Sequence, residues 1–207
     1  MFITQNSPFA LAPTNPMAVH FSSEDTEWET PDWLYSRLDG MFHFDVDLCA
    51  TQINKKCPNF ISPQDDSFRQ EWKGTCWLNP PYGRGVDKWI KKAVSSAVNE
   101  EATVVALLPA RTETKWFQHV WTAPFIVFLA GRLQFKGAPA VAPFPSCLAI
   151  FSRNLPPDLN ISDLALIGNV VHTLWRYEPA WALAPRKGEE VDEDGIVSES
   201  DDSEELS

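Results

Sequence analysis

The feature that most constrains the fold is a loop with two consecutive prolines, Asn79-Pro80-Pro81-Tyr82-Gly83. Proline has no backbone N–H and a fixed φ, so neither a helix nor a sheet ladder continues through this loop. Residues 75–78 before it form an apolar run that predicts a short buried strand. The apolar residues after it recur at helical spacing and predict an amphipathic helix: Val86, Trp89, Ile90, Ala93, Val94, Ala97 and Val98. The chain must therefore place a strand, a rigid turn and a helix in succession.

Strands and helices alternate along the rest of the chain as well. A helix is predicted over residues 31–39, with Thr30 as its N-cap, Pro31 in its first turn and Gly40 at its end. Thr112 is predicted to cap another helix, and a last helix is predicted over residues 161–175. Residues 51–74 give mixed signals, with a short helix up to Trp72. The remaining apolar runs predict strands over 44–48, 103–108, 125–130 and 146–151. This alternation predicts an α/β sheet with helices on both faces.

The acidic charge is concentrated at one end of the chain. Ten of the 28 acidic residues lie in residues 189–207, which contain no Lys or Arg, so 18 acidic residues face 17 basic ones elsewhere. The formal net charge of −11 is therefore a property of the tail and does not exclude a polyanionic partner for the body. We predict a mobile N-terminal arm over 1–23, a folded domain over 24–154, a C-terminal helical extension over 155–184 and a disordered acidic tail over 185–207.

Membrane and metal sites are not expected. No apolar stretch approaches the ~18 residues that a membrane span needs, and the N-terminus has no signal-peptide pattern, which predicts a cytoplasmic protein. The cysteines show neither a C-x-x-C pair nor a Cys–His pair at metal spacing. They are predicted to be reduced thiols: Cys49, Cys57, Cys76 and Cys147.

The residues of the double-proline loop suit chemistry on an exocyclic amine. The lone pair of such a nitrogen is delocalised into the ring, and it becomes nucleophilic when two acceptors hold its hydrogens out of the ring plane. The Asn79 side-chain oxygen and the Pro80 carbonyl supply two acceptors, and proline fixes the backbone that aims them. Tyr82 offers a flat face on which a base can stack, worth ~1–3 kcal/mol against the few kcal/mol of base flipping. These residues predict a catalytic loop of Asn79, Pro80, Pro81 and Tyr82, but a purely structural connection and any other planar amine, in a glutamine side chain or an RNA base, stay open.

Together with other segments, this loop resembles class I S-adenosylmethionine-dependent DNA adenine-N6 methyltransferases, particularly the small phage-type enzymes. The resemblance runs from about Trp28 to Phe151. It implies a Rossmann-like sheet, S-adenosylmethionine as the cofactor, DNA as the partner and, for a phage-encoded enzyme, the host cytoplasm. The other matched segments are Trp28-Glu29-Thr30-Pro31, Asp47-Leu48-Cys49-Ala50, Leu108-Pro109-Ala110-Arg111-Thr112, Gly131-Arg132-Leu133-Gln134-Phe135 and Pro143-Phe144-Pro145-Ser146.

The resemblance also implies a cofactor site. It places Asp47 and the following Cys49 loop in that site, Thr30-Pro31 at the methionine end with Trp28 beside it, and Asp65 or Asp66 at the ribose or adenine. Two features depart from the family pattern. The loop after Asp47 lacks glycine, and only 32 positions separate Asp47 from Asn79. We therefore expect an abbreviated sheet, without a separate target-recognition domain in that interval.

Basic residues near the loop are candidates for phosphate contact. Lys88, Lys91 and Lys92 form a stripe on the helix after the loop, and Arg84, Arg111 and Arg132 could extend it. Such a stripe is also typical of an ordinary solvated face. The acidic tail leaves one alternative of another class, a non-catalytic DNA mimic or interaction protein, which would not bind S-adenosylmethionine. The target sequence and the oligomeric state do not follow from the sequence.

Overall fold

The structure is a computed structural model that describes residues 28–99, 102–155, 157 and 159–173. The predicted arm over 1–23 and the acidic tail over 185–207 lie outside the described residues. Besides one 3₁₀ helix at Ser67–Arg69, the elements are, in chain order, α1 (Asp32–Phe42), β1 (Val46–Asp47), β2 (Asn59–Phe60), β3 (Thr75–Leu78), α2 (Val86–Asn99), β4 (Thr103–Pro109), α3 (Phe117–Val120), β5 (Phe125–Leu129), β6 (Ser146–Phe151), α4 (Ile161–Leu164) and β7 (Gly168–His172).

The strands of the described residues form one sheet in the order β2-β1-β3-β4-β6-β5-β7. β2, β1, β3 and β4 are parallel neighbours. β6 runs antiparallel between β4 and β5, so β5 points in the same direction as β4. The ends of β1, β3, β4 and β5 therefore lie along one side of the sheet, which we call the carboxyl edge. In open α/β sheets this is the side on which ligands bind.

Successive residues of the central strands face two different cores. Val104 and Ala106 of β4 share one core with the buried side of α2. Val105 and Leu107 share the other core with the buried side of α1. Every residue of β4 is buried, which confirms the prediction that this strand is covered on both faces.

The first helix differs from its prediction at both ends. Pro31, and not Thr30, occupies the N-cap position, and no side chain caps the helix. Gly40 lies inside the helix, which ends at Phe42 and is followed by the C-cap residue His43 in the left-handed region with φ 53°. Burying Phe42 at 2% exposure contributes about 1.5–3 kcal/mol, which exceeds the ~1 kcal/mol cost of an internal glycine. The extra turn is therefore favoured by packing.

The prediction of a helix over 161–175 and of a helical extension is wrong within the described residues. Only Ile161–Leu164 is helical, and Gly168–His172 forms the edge strand β7, paired antiparallel with β5. A Cβ at Gly168 would collide with the backbone carbonyl of Phe128, which shows how closely the two strands approach. The β-branched pair Val170-Val171 suits a strand, and the free edge of β5 supplies the backbone partners that spacing alone does not reveal.

The segment between β1 and β3 is short, as expected. It contains only the two-residue strand β2 and the 3₁₀ helix, so the fold is abbreviated between β1 and β3 although the sheet of the described residues has seven strands. Two other elements are shorter than predicted. β1 covers Val46–Asp47 and not 44–48, and α3 is a single turn whose N-cap is Trp116, so Thr112 caps no helix.

Candidate active site

Two adjoining crevices open around the loop that follows β1 at the carboxyl edge. The first crevice, about 630 Å³ measured out to solvent, has walls from the segment before α1, the loops after β1 and β3, and Trp77. It contains the predicted residues Trp28, Thr30, Asp47, Cys49, Asn79, Pro80 and Pro81. The second crevice, about 510 Å³, is largely apolar. Cys49, Ala50, Pro63 and Pro81 line both, so the two crevices adjoin at these residues.

Asn79, directly after β3, has its side chain oriented by two acceptors. Its Nδ2 donates to the Trp28 carbonyl at 2.6 Å and to Thr30 Oγ1 at 3.0 Å. Its Oδ1 is buried and has no hydrogen-bond partner among the residues that the structure describes. Unsatisfied buried acceptors are uncommon in folded proteins and each calls for an explanation. Because Asn79 lines the first crevice, this oxygen is a candidate contact for a ligand.

The rest of the double-proline loop is rigid. Pro80 and Pro81 line the first crevice, and Gly83 adopts φ 143°, which a residue with a side chain rarely reaches. Tyr82 does not present the open face that the sequence analysis expected. Its ring is 9% exposed, packs edge-on against Phe135 and Phe144, and its hydroxyl donates to the Leu107 carbonyl at 3.2 Å. Burial raises the pKa of Tyr82 well above its ordinary value, so the phenol remains a donor and ties the loop to β4.

Asp47, at the end of β1, has both carboxylate oxygens occupied by its own loop. Oδ1 accepts from the backbone N–H of Cys49 at 3.3 Å, and Oδ2 accepts from that of Lys56 at 3.0 Å. Burial raises the pKa of Asp47, while these two N–H groups and the Lys56 charge oppose that rise. The carboxylate is 3% exposed and lines the first crevice. It therefore folds residues 48–56 around the crevice without glycine.

A cluster of four charges, which we call the charge cluster, borders the first crevice. Lys56 Nζ lies 3.1 Å from Glu29 Oε1 and 2.6 Å from Asp32 Oδ1. Lys136 Nζ lies 3.2 Å from Glu29 and 3.1 Å from Asp32. These hydrogen bonds, first with Lys56 and then with Lys136, lower the pKa of Asp32. The cluster joins the segment before α1 to the loop after β1 and to the loop after β5.

The loop between β5 and β6 covers the same edge through its aromatic side chains. Phe135 and Phe144 are buried and lie 5.1 and 5.4 Å from the Trp28 ring, between ring centroids. The Lys136 N–H donates to the Glu29 carbonyl at 2.8 Å, and the Ala142 N–H to the Leu133 carbonyl at 2.8 Å. This loop therefore fixes the segment that orients Asn79.

The three remaining residues predicted for the cofactor site, Asp65, Asp66 and Pro31, do not lie together in one crevice. Asp66 lines the second crevice, where it caps the 3₁₀ helix by accepting from the Phe68 N–H at 3.1 Å. Asp65 Oδ2 accepts from the backbone and hydroxyl of Ser62, and these two bonds lower its pKa. Asp65 and Pro31 line neither crevice.

The predicted phosphate-binding residues lie near the same edge. Arg84 follows β3, Arg111 follows β4, and Arg132 follows β5, while Lys88 lies in the first turn of α2. Arg84, Lys88 and Arg132 are exposed, and Arg111 is half-buried. The topology thus places these basic side chains on the side of the sheet that holds the crevices.

Sequence reasoning missed several residues of the site. Glu29 lay in a matched segment without a role, and Lys56, Asn54 and Trp77 were not considered, although all four line the first crevice. No periodicity or motif marks Lys56, because its partners come from segments that are distant in sequence. The described residues contain no cluster of three or more His, Cys, Asp or Glu side chains that could hold a metal ion. Nor does the described part of the chain contain a helix long and apolar enough to cross a membrane.

A mixed α/β sheet with a ligand crevice and an Asn-Pro-Pro-Tyr turn at its carboxyl edge is compatible with the Rossmann-like fold of methyltransferases. The sequence model of the family described as DNA N-6-adenine-methyltransferase (Dam) matches residues 19–146, which is more than half of the chain. The chain therefore belongs to the Dam family of DNA N-6-adenine-methyltransferases. It is an enzyme of that class, which confirms the resemblance and removes the non-catalytic alternative.

Two curated relatives from phages agree with this assignment. A DNA N-6-adenine-methyltransferase of Haemophilus phage HP1 (strain HP1c1) is 38% identical over 118 residues, covering 55% of this chain and 68% of the relative. A DNA N-6-adenine-methyltransferase of Escherichia phage T1 is 34% identical over 93 residues, covering 44% of this chain and 38% of that longer relative.

Proposed function

We propose that this chain transfers a methyl group from S-adenosylmethionine to N6 of adenine in DNA. The observation that carries the proposal is the buried Asn79 Oδ1, which has no hydrogen-bond partner among the described residues and belongs to a residue that lines the first crevice at the Asn-Pro-Pro-Tyr turn. An acceptor left unpaired in this way is ready to receive a hydrogen bond from an incoming amino group.

The two acceptors of the loop prepare the amine for attack. Asn79 Oδ1 and the Pro80 carbonyl each accept one hydrogen of the N6 amino group, which withdraws its lone pair from the ring. Both acceptors are held before the substrate arrives, so little reorganisation is needed during the reaction. Tyr82 directly follows Pro80 and Pro81, and it anchors their loop to β4 through the hydrogen bond from its hydroxyl to the Leu107 carbonyl. The proton lost from nitrogen is released to water, and no side chain is needed as a base.

The crevices fit the proposed cofactor. The first one carries opposite charges on Glu29 and Lys56, which suits the zwitterionic amino-acid end of S-adenosylmethionine. The second is largely apolar and suits the base, and it is lined by Asp66 and not by Asp65. When bound, the cofactor supplies the methyl group. Trp28, Asp47 and Cys49 would form the walls between these ends, and Pro31 would fix the start of α1.

We place the DNA along the carboxyl edge. Arg84, Arg111 and Arg132 follow three strands that end there, and Lys88 lies in the adjoining first turn of α2. Phosphate contacts from such residues position a duplex without reading its sequence. This arrangement brings the flipped base to the first crevice and leaves the phosphates outside it.

The test is direct methyl transfer by the purified protein. The protein is incubated with S-adenosylmethionine carrying an isotopically labelled methyl group and with unmethylated DNA, and the DNA is digested to nucleosides for mass spectrometry. We expect label in N6-methyladenine. RNA and a glutamine-containing peptide are tested in parallel as the alternative planar amines. Label in N4-methylcytosine, in RNA or in the peptide, with none in N6-methyladenine, would overturn the proposal.

A further inference from the structure

The orientation of the Asn79 amide depends on a residue that sequence analysis had assigned to another task. Asn79 Nδ2 donates to two acceptors, the Trp28 carbonyl and Thr30 Oγ1, whereas Oδ1 receives no hydrogen bond from the described residues. Thr30 is 2% exposed and does not cap α1. Its hydroxyl is instead one of the two groups that hold the catalytic amide.

We propose that Thr30 is a positioning residue that locks the Asn79 side chain with its oxygen toward the substrate amine. An asparagine amide has nearly the same shape when rotated by 180°, so only hydrogen bonds decide which end faces the crevice. A carbonyl oxygen only accepts, so the Trp28 carbonyl favours the amino end of Asn79. Thr30 Oγ1 accepts the second Nδ2 hydrogen, so both donors are engaged by the protein.

The rotated amide would defeat the reaction. It would direct an NH₂ group at the substrate amine, so that two donors meet, and it would bring Oδ1 against the Trp28 carbonyl. Because a hydroxyl both donates and accepts, the Trp28 carbonyl selects the amide orientation, and the Thr30 hydroxyl satisfies the second Nδ2 hydrogen. Without that hydroxyl, one Nδ2 hydrogen loses its partner in a buried place, and the amide is held less firmly in the productive orientation. The inference rests on the proposed function of Asn79 and names the residue that sets its geometry.

The position of Thr30 is itself fixed from both sides. The Glu29 carbonyl accepts from the Lys136 N–H at 2.8 Å, and the Glu29 carboxylate pairs with Lys56 and Lys136. On the other side the Pro31 carbonyl accepts the first backbone bonds of α1, from Leu34 and Tyr35. Thr30 therefore offers its hydroxyl from a held segment, as a positioning role requires.

The test compares Thr30→Val, which keeps the shape and removes the hydroxyl, with Thr30→Ser, which keeps the hydroxyl. For Thr30→Val we expect the single-turnover rate of methyl transfer to DNA to fall about tenfold, while S-adenosylmethionine binds within twofold of wild type. Thr30→Ser should retain the rate within about twofold. In an Asn79→Ala background, Thr30→Val should cause no further loss, because the group that it positions is gone.

A second readout does not depend on turnover. In protein labelled with ¹⁵N at asparagine side chains, the Asn79 NH₂ signal is assigned by its loss in Asn79→Ala. We expect Thr30→Val, but not Thr30→Ser, to shift this signal and to speed its exchange with water. The inference is overturned if the signal is unchanged in Thr30→Val, if the two variants behave alike, or if the loss appears in cofactor affinity, which would make Thr30 a cofactor contact. Wild-type protein that transfers no methyl group to DNA would overturn the proposed function, and the NMR comparison would still test the positioning role.

Discussion

Asp47 is the last residue of β1, and Asn79 directly follows the neighbouring strand β3. Both line the same crevice, yet their polar atoms are used in opposite ways. Both oxygens of Asp47 accept backbone N–H groups of the loop that follows it. Asn79 has its donors held by the chain and its acceptor left without a partner. The oxygens of Asp47 are thus satisfied within the described protein, whereas the oxygen of Asn79 is not.

The difference separates two kinds of residue at one edge of a sheet. A buried acceptor without a partner costs about 1–3 kcal/mol, so it is retained where a ligand meets it. A buried carboxylate with two backbone partners shapes the loop on which a ligand rests. We therefore expect Asn79 to act on the rate of methyl transfer and Asp47 to act on cofactor binding.

The largest effect should come from Asn79→Ala. Loss of a preorganised acceptor at the reacting nitrogen costs about 2.7–4 kcal/mol in the chemical step, or a 10²–10³-fold fall in turnover. Cofactor affinity, measured by calorimetry, should stay within a few-fold of wild type. Asn59→Ala is the matched control, because the exposed Asn59 only donates to the Asp45 carbonyl. Turnover of Asn79→Ala close to that of the control would show that the unpaired oxygen has no part in catalysis.

Asp47→Ala should act on cofactor binding, in contrast to Asn79→Ala. It leaves the Cys49 and Lys56 N–H groups without their acceptor, so the loop that lines both crevices loses its shape. We expect S-adenosylmethionine to bind about tenfold more weakly, with a smaller change in DNA affinity. Asp45→Ala is the control, since Asp45 precedes the same strand and accepts from the Thr75 N–H at the opposite edge. Cofactor affinity equal to wild type in folded Asp47→Ala would remove Asp47 from the site.

The region around Asn79 could be predicted well because its signals are local. Two prolines, an apolar run before them and helical periodicity after them place β3, the turn and α2 without help from distant residues. The charge cluster could not be predicted, because its four members come together only when three separate segments meet at the carboxyl edge. The same limit applies to Tyr82, whose burial depends on Phe135 and Phe144 more than fifty positions away.

The C-terminal error has a different cause. Apolar residues at helical spacing predicted a helix over 161–175, but a short apolar segment with β-branched residues fits both periods. A strand forms instead of a helix because the edge of β5 offers backbone partners to residues 168–172. Tertiary pairing outweighed a local pattern there, whereas at the double-proline loop the local pattern admitted no alternative.

Chemical labelling of Cys49 can test whether the cofactor binds at the two crevices. Cys49 is half-buried and lines both crevices, whereas Cys57, Cys76 and Cys147 are buried. Burial raises the pKa of Cys57 to about 11 and that of Cys147 to about 12, so both remain thiols at neutral pH. We expect an alkylating reagent to modify Cys49 first, read by peptide mass spectrometry. S-adenosylmethionine at ten times its Kd for the wild-type protein should slow this labelling about tenfold in wild type and in Asn79→Ala. At the same concentration it should slow the labelling less in Asp47→Ala. Labelling of Cys49 that is indifferent to the cofactor would place the cofactor elsewhere.

The smallest effect should come from Arg84→Ala. This variant tests DNA contact separately from catalysis and from cofactor binding. Arg84 is exposed and follows β3 at the carboxyl edge, whereas Lys73 precedes the same strand at the opposite edge, where it pairs with Glu71. A phosphate contact by Arg84 predicts weaker DNA binding by a few-fold at low salt, and a slope of log affinity against log salt that is shallower by about 0.9. Lys73→Ala should change neither quantity. The single-turnover rate at saturating DNA and the cofactor affinity should stay near wild type in both variants, because neither residue lines a crevice. If Arg84→Ala leaves the salt slope unchanged, the DNA does not run along this part of the edge; if it lowers the rate at saturation, Arg84 belongs with Asn79 and not with the phosphates.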